Sequence, residues 1–242
     1  MNRGSGHAAS ALALLTGITA IVACSPRPAP RAAPAVPAAR PSGDLFSTIP
    51  CADTPLGREW SELRAEAGAR FPLLRLTATE DLHVTVVYVG PGWRAADLGR
   101  FRELALVAPR EAATLRPEVV RLGRNAHVVV VELHDAPESW TAAVVAAKAE
   151  MNRLGLKKPE PYDATFRPHV TLASARGRAP DPAEAAALEG LRSWMAEKVA
   201  ADPTRFALTI GPGTPVRLWL AGTVRPAGAP EFVDAEAART DR

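Results

Sequence analysis

Two pairs of residues in this chain have the types and the spacing that chemistry needs. His83 and Thr85 lie in the run Leu82-His83-Val84-Thr85-Val86-Val87-Tyr88-Val89-Gly90, and His169 and Thr171 lie in Phe166-Arg167-Pro168-His169-Val170-Thr171-Leu172-Ala173-Ser174. The two histidines are 86 positions apart. In a β-strand, residues i and i+2 share a face, so each run puts an imidazole beside a hydroxyl. Val84, Val86 and Tyr88, like Val170 and Leu172, are then expected on the opposite face, in a core. If the two strands are neighbours, two imidazoles and two hydroxyls converge on one cleft. One histidine takes a proton from water, the other gives a proton to a leaving alkoxide, and the hydroxyls hold phosphate oxygens. That set suffices to open a phosphodiester without a metal.

A single histidine on a strand is more often structural than catalytic. The repetition of His-x-Thr in two apolar runs, one closed by Val89-Gly90 and the other led by Phe166-Arg167-Pro168, gives the pair its weight. This arrangement resembles the two-histidine (2H) phosphoesterase superfamily, whose members include the LigT-like RNA 2′,3′-cyclic phosphodiesterases. The resemblance spans roughly Phe46 to Leu220. It implies an α+β, bilobal fold, with two pseudo-symmetric lobes, each an antiparallel sheet with helices, and a cleft between them. It also implies that His83 is the proton donor, His169 the proton acceptor, and Thr85 and Thr171 the phosphate-binding hydroxyls. There is one departure. Many LigT-like members carry Arg three residues after the second Thr, where this chain has Ser174.

The elements around the motifs can be read from spacing. Asp53-Thr54-Pro55 opens a helix with Trp60, Leu63 and Ala67 inward, and Leu73 to Thr77 reads as a strand leading into the first motif strand. Asp97 starts a second helix with Leu98, Phe101 and Leu104 on one face. Glu118–Leu122 and Ala126–Leu133 read as a hairpin turning near Arg124-Asn125. Asp135-x-x-Glu138 and Asp181-Pro182-x-Glu184 both have the form of a capping box. The first opens a helix with the stripe Trp140, Val144, Ala147, Met151, Leu154, ended by Gly155; the second opens one with Leu188, Leu191, Met195 and Val199 inward. Strands at Phe206–Ile210 and Val216–Ala221 close the domain.

The ends carry a different message. Arg3 followed by the short apolar stretch Ala8–Ala23 reads as a signal peptide over residues 1–23. Ile21-Val22-Ala23-Cys24 looks like the lipobox of a bacterial lipoprotein, with Cys24 as the acylated residue. Residues 24–43 then form a tether, since 12 of the 19 positions from Ser25 to Gly43 are Pro or Ala. The globular domain is expected over 44–227, with a polar tail over 228–242. The expected address is the bacterial cell envelope, held by lipid and facing the periplasm or the outer surface.

Charge narrows the partner. The chain has 29 basic and 26 acidic residues. Arg3, Arg27, Arg31 and Arg40 precede Asp44 and no acidic residue does, which leaves a net charge of −1 on the rest. That is no platform for duplex nucleic acid; a nucleotide or an RNA end suits it better. With Cys24 lipidated, Cys51 stands alone, so no internal disulfide is available and packing is its expected role. No CxxC or HExxH pattern points to a metal, and no cofactor is expected. Arg167, Arg176 and the loop residue Trp93 are further candidates for substrate contact. The expectation is therefore a monomeric, metal-independent phosphodiesterase acting on 2′,3′-cyclic phosphates or 2′,5′-linked nucleotides. The alternative is a non-enzymatic envelope lipoprotein that binds nucleotides or phosphate esters in the same cleft.

Overall fold

The computed structural model describes residues 44–91, 93–123, 126–176, 179–220 and 231–234. The signal peptide, Cys24, the tether and the hairpin tip Arg124-Asn125 lie outside them. Among the described residues, nine strands and four α-helices make an α+β chain. The strands are β1 Leu45–Pro50, β2 Arg75–Leu76, β3 His83–Gly90, β4 Ala113–Leu122, β5 Val128–His134, β6 His169–Ser174, β7 Leu208–Ile210, β8 Arg217–Leu220 and β9 Glu231–Asp234. The helices are α1 Pro55–Arg70, α2 Leu98–Ala105, α3 Glu138–Arg153 and α4 Pro182–Ala201.

The strand order is β7-β4-β5-β6-β3-β1-β8-β9, every neighbouring pair is antiparallel, and β2 adds to β6. The two motif strands, β3 and β6, are adjacent at the centre. One half of the sheet, β7-β4-β5-β6, ends in the second motif, and the other, β3-β1-β8-β9, begins with the first. The halves meet at one register pair, Val84↔Val170.

Helix ends follow local chemistry. Thr54 caps α1, its Oγ1 accepting from Gly57 N at 3.2 Å. Gly57 is required there, because a Cβ would sit 2.1 Å from the Cys51 carbonyl oxygen. Asp181 and Glu184 form the full capping box of α4. The matching box expected at Asp135 does not form. Asp135 adopts φ +65° and gives its carboxylate to Arg116, so α3 begins after Pro137 without a side-chain cap. Gly155, at φ +66°, turns the chain out of α3, with Leu156 N donating to Met151 O at 2.9 Å.

The helices α4 on β4 and β5, and α3 on β3, cover the apolar face of the sheet. Val84, Val170, Leu172, Trp140, Met151, Leu188 and Met195 are buried there. Each valine at the seam contributes about 1.5–3 kcal/mol by leaving water. Three expectations are corrected. β1, which has no strand signal in the sequence, is central to the sheet; the strand expected over Leu73 to Thr77 shrinks to two residues; and the polar tail contains β9, paired to β8. Among the described residues no helix is long and apolar enough to cross a membrane.

Candidate active site

The register pair Val84↔Val170 sets the geometry of the site. Both valines are fully buried, and on either side of them His83, Thr85, His169 and Thr171 are partly exposed on the other face of the sheet. In an antiparallel pair this register puts His83 opposite Thr171 and Thr85 opposite His169. The two imidazoles are thus diagonal neighbours, with backbones about 7–8 Å apart in an ordinary pair. The register sets a hydroxyl-bearing residue across from each histidine.

Each histidine is anchored in the same way. His83 Nδ1 is 2.7 Å from the Asp81 carbonyl oxygen, and His169 Nδ1 is 2.9 Å from the Arg167 carbonyl oxygen. A carbonyl only accepts, so Nδ1 carries the proton in both rings and Nε2 is the working nitrogen. The residue before each histidine is also tied to the neighbouring chain: Cys51 N donates to Leu82 O at 2.8 Å, and Leu133 N donates to Pro168 O at 2.9 Å.

What surrounds the two rings differs. Around His83 the neighbours are aromatic. The Phe46 ring centroid lies 5.5 Å from it and that of Trp219 lies 4.9 Å from it, and Phe46 and Trp219 stack on each other at 5.5 Å. Tyr88 joins them, 6.3 Å from Phe46, with its hydroxyl donating to Asp44 Oδ2 at 3.0 Å. This corrects the expectation that Tyr88 lies in the core. A register shift between Ser47 and Thr48, opposite Val87 and Thr85, inserts one extra residue and brings Tyr88 to the site face. Burial and the nearby Asp44 carboxylate push its phenol up to about 12. Thr48, paired in register with Thr85, is fully buried, and its Oγ1 has no hydrogen-bond partner among the described residues.

Around His169 the neighbours are charged. Glu132 stands opposite it on β5, with its carboxylate 7% exposed. Arg121 Nε donates to Glu132 Oε2 at 2.5 Å, and Arg167 Nη1 lies 3.8 Å from Oε1. The loop that leads into β6 is fastened by Asp163, whose Oδ2 accepts from Lys157 Nζ at 2.6 Å, Asn152 Nδ2 at 2.8 Å and Glu160 N at 2.8 Å. Lys148 Nζ donates to the Thr165 carbonyl at 2.8 Å.

Burial pulls both histidines below the ordinary imidazole value, and the carbonyl hydrogen bonds oppose it. His169 itself lowers His83 further; Arg121 and Lys148 lower His169, while Glu132 raises it.

The structure brings His83, Thr85, His169 and Thr171 together and places Arg167 at their edge. It does not bring in Trp93 or Arg176. Trp93 is 7% exposed and packs edge-on against Phe101, and Arg176 donates from Nη2 to the Pro72 carbonyl at 3.0 Å. Cys51 is buried, and burial raises its thiol to about 12. Among the described residues no group of three His, Cys, Asp or Glu side chains is arranged to hold a metal ion. Sequence reasoning missed Phe46, Trp219, Arg121 and Glu132. For Glu132 a signal existed, since it is the one charged residue in the run Val128–Leu133.

No family model and no curated protein matches the chain. Solved structures do. LigT of E. coli superposes with a TM-score of 0.51 at 17% identity, covering 79% of this chain and 94% of that one, and its complex with 3′-AMP gives 0.51 and 17% over 81% and 95%. A crystal structure described as a phosphoesterase gives 0.52 at 16%, over 80% and 95%. A Thermus thermophilus protein, TT0787, gives 0.51 at 15%, over 79% and 94%. At such identities the likeness is one of architecture, and the chain has the α+β fold of LigT and of these other structures.

Proposed function

We propose that this chain is a phosphodiesterase that hydrolyses 2′,3′-cyclic phosphates, or 2′,5′-linked nucleotides, at a nucleotide or RNA end. The observation that carries this reading is the Val84↔Val170 register, which aligns two His-x-Thr pairs on one face with both Nδ1 atoms already committed. The shared fold with LigT, one structure of which holds 3′-AMP, supports a nucleotide substrate.

In this mechanism the cyclic phosphate lies between the imidazoles, with Thr85 and Thr171 donating to its non-bridging oxygens. His169 Nε2 takes a proton as water attacks phosphorus. His83 Nε2–H gives a proton to the ribose oxygen as its bond to phosphorus breaks. One water is consumed, one phosphomonoester and one free hydroxyl form, and the two histidines end with their protonation exchanged. The diagonal placement suits in-line displacement, which wants acid and base on opposite sides of phosphorus. No step requires a metal. An imidazolium is needed although both rings resist protonation; a bound phosphate anion supplies the missing stabilisation of the charged form.

The test is turnover of 2′,3′-cyclic nucleotides by the protein with EDTA present. Phosphomonoester should form at an undiminished rate. Binding without turnover would make the cleft a receptor for nucleotides, and activity silenced by EDTA and restored by a divalent ion would replace the two-histidine mechanism. We also propose that the protein is a lipoprotein of the bacterial envelope, monomeric and held by Cys24. The Ile21-Val22-Ala23-Cys24 pattern and the Pro/Ala tether support this; equal palmitate labelling of wild type and Cys24→Ser would overturn it.

A further inference from the structure

Neither threonine carries a charge and burial disfavours the charged form of both imidazoles, yet the phosphate is always an anion. A permanent positive charge stands close by on β4. Arg121 pairs in register with Val130, and Val130 pairs with Thr171, so Arg121 rises from the site face two strands from the second motif. Its side chain leans toward His169, because its Nε is fixed at 2.5 Å to Glu132 Oε2 and Glu132 stands opposite His169. The remaining donors are lightly used: among the described residues, Nη1 makes a long 3.5 Å contact with the Leu122 carbonyl. The side chain is 38% exposed while its partner carboxylate is 7% exposed. The carboxylate end of this ion pair is therefore closed off, and the guanidinium end is partly open to solvent on the site face. A buried carboxylate alone beside a phosphate site would repel the ligand, whereas a guanidinium fixed at one end presents its other N–H groups in a set direction. Arg121 is also near enough to oppose the protonation of His169.

We propose that Arg121, oriented by Glu132, is a substrate-binding residue that donates to a phosphate oxygen on the second-motif side of the cleft. Glu132 is a positioning residue, acting through Arg121. This rests on the phosphodiesterase reading above. The phosphate is either the reacting cyclic group or the next phosphodiester along an oligonucleotide, and the choice of substrates separates them.

The experiment measures kcat and KM for 2′,3′-cyclic AMP and for a dinucleotide ending in a 2′,3′-cyclic phosphate, and affinity for 3′-AMP by calorimetry, on wild type, Arg121→Gln, Arg121→Lys and Glu132→Gln. A charge-assisted hydrogen bond corresponds to about a 10- to 100-fold change in affinity. Arg121→Gln should raise KM by that factor with a smaller change in kcat. Arg121→Lys, which keeps the charge and the Glu132 partner, should recover part of the loss, and Glu132→Gln should raise KM less than Arg121→Gln. Loss on both substrates, with weaker 3′-AMP binding, places Arg121 on the reacting phosphate; loss on the dinucleotide alone places it on the next one. Unchanged KM and unchanged 3′-AMP affinity in folded Arg121→Gln, or equal losses in Arg121→Lys and Arg121→Gln, would overturn the proposal. A wild type that neither turns over a cyclic phosphate nor binds 3′-AMP would instead sink the phosphodiesterase reading on which it stands.

Discussion

The two halves of the cleft hold the same imidazole by the same carbonyl contact and then treat it differently. On the first-motif side, His83 is enclosed by Phe46 and Trp219. On the second-motif side, His169 faces the carboxylate of Glu132, which is itself tied to Arg121. Ring orientation is a local matter, set by a strand and the two residues before it. Proton affinity is a matter of neighbouring strands: β1 and β8 on one side, β4 and β5 on the other. Two like halves of one sheet can therefore set the same ring in two different electrostatic surroundings without changing the ring.

The largest test of this comparison removes the bases. His83→Ala and His169→Ala should each lower kcat by about 10²–10⁴, the usual worth of general acid or base catalysis. Both rings are partly exposed on the open face, so the fold should persist. The double variant should lose less than the product of the single losses, because the two act on one proton inventory. Near-wild-type turnover in either single variant, on every cyclic phosphate tried, would end the idea that the halves cooperate.

A smaller effect is expected from the hydroxyls. Thr85→Val and Thr171→Val keep shape and delete a donor, and each should raise KM about tenfold with kcat less affected. Because Thr85 lies opposite His169 and Thr171 opposite His83, comparable losses would show that the phosphate sits centrally; a one-sided loss would show it displaced toward one half.

The smallest effects concern pH, and they separate the two surroundings most cleanly. The free-enzyme profile of kcat/KM should be a bell with at least one limb below the ordinary imidazole value of about 6.5, since burial lowers both rings. Phe46→Ala admits water to His83 and should raise one apparent pKa. Glu132→Gln removes a carboxylate that favours protonated His169 and should lower one. Each shift is on the order of half a pH unit. Movement of the same limb in the same direction by both changes would mean that the two surroundings are not distinct. Stability has a matching sign. A histidine whose folded value is lowered binds fewer protons folded than unfolded, so stability is full above about pH 6.5 and falls as pH drops toward the folded value. His83→Gln should therefore flatten the acid side of a plot of Tm against pH.

Much of this arrangement is legible in the residues. The motif strands are short apolar runs that each open with His and Thr at alternate positions, and the helices carry 3–4 stripes with recognisable ends, so order and type follow. Face and partner are harder where they depend on distant chain. Leu45–Pro50 is six residues with Ser47 and Thr48 inside it, and nothing local says that it is a central strand; its neighbours are β3 and the far β8. Tyr88 keeps strict alternation in the sequence and breaks it in the fold, because the bulge is imposed by β1. Asp135 and Asp181 begin the same motif, and only Asp181 completes it, because Arg116 on another strand claims Asp135. Phe46 and Trp219 are separated by most of the domain, so their stack has no sequence signal at all.

The pairing of β8 with β1 also sets an order of assembly. Leu45–Pro50 is made near the start of the domain and Arg217–Leu220 near its end, yet they lie side by side and together supply the rings against His83. Such a contact closes a long loop and forms slowly. While the chain is being synthesised, both histidines emerge before the strand that brings Trp219. The walled form of the first imidazole thus exists only once β8 has arrived, some fifty residues after His169.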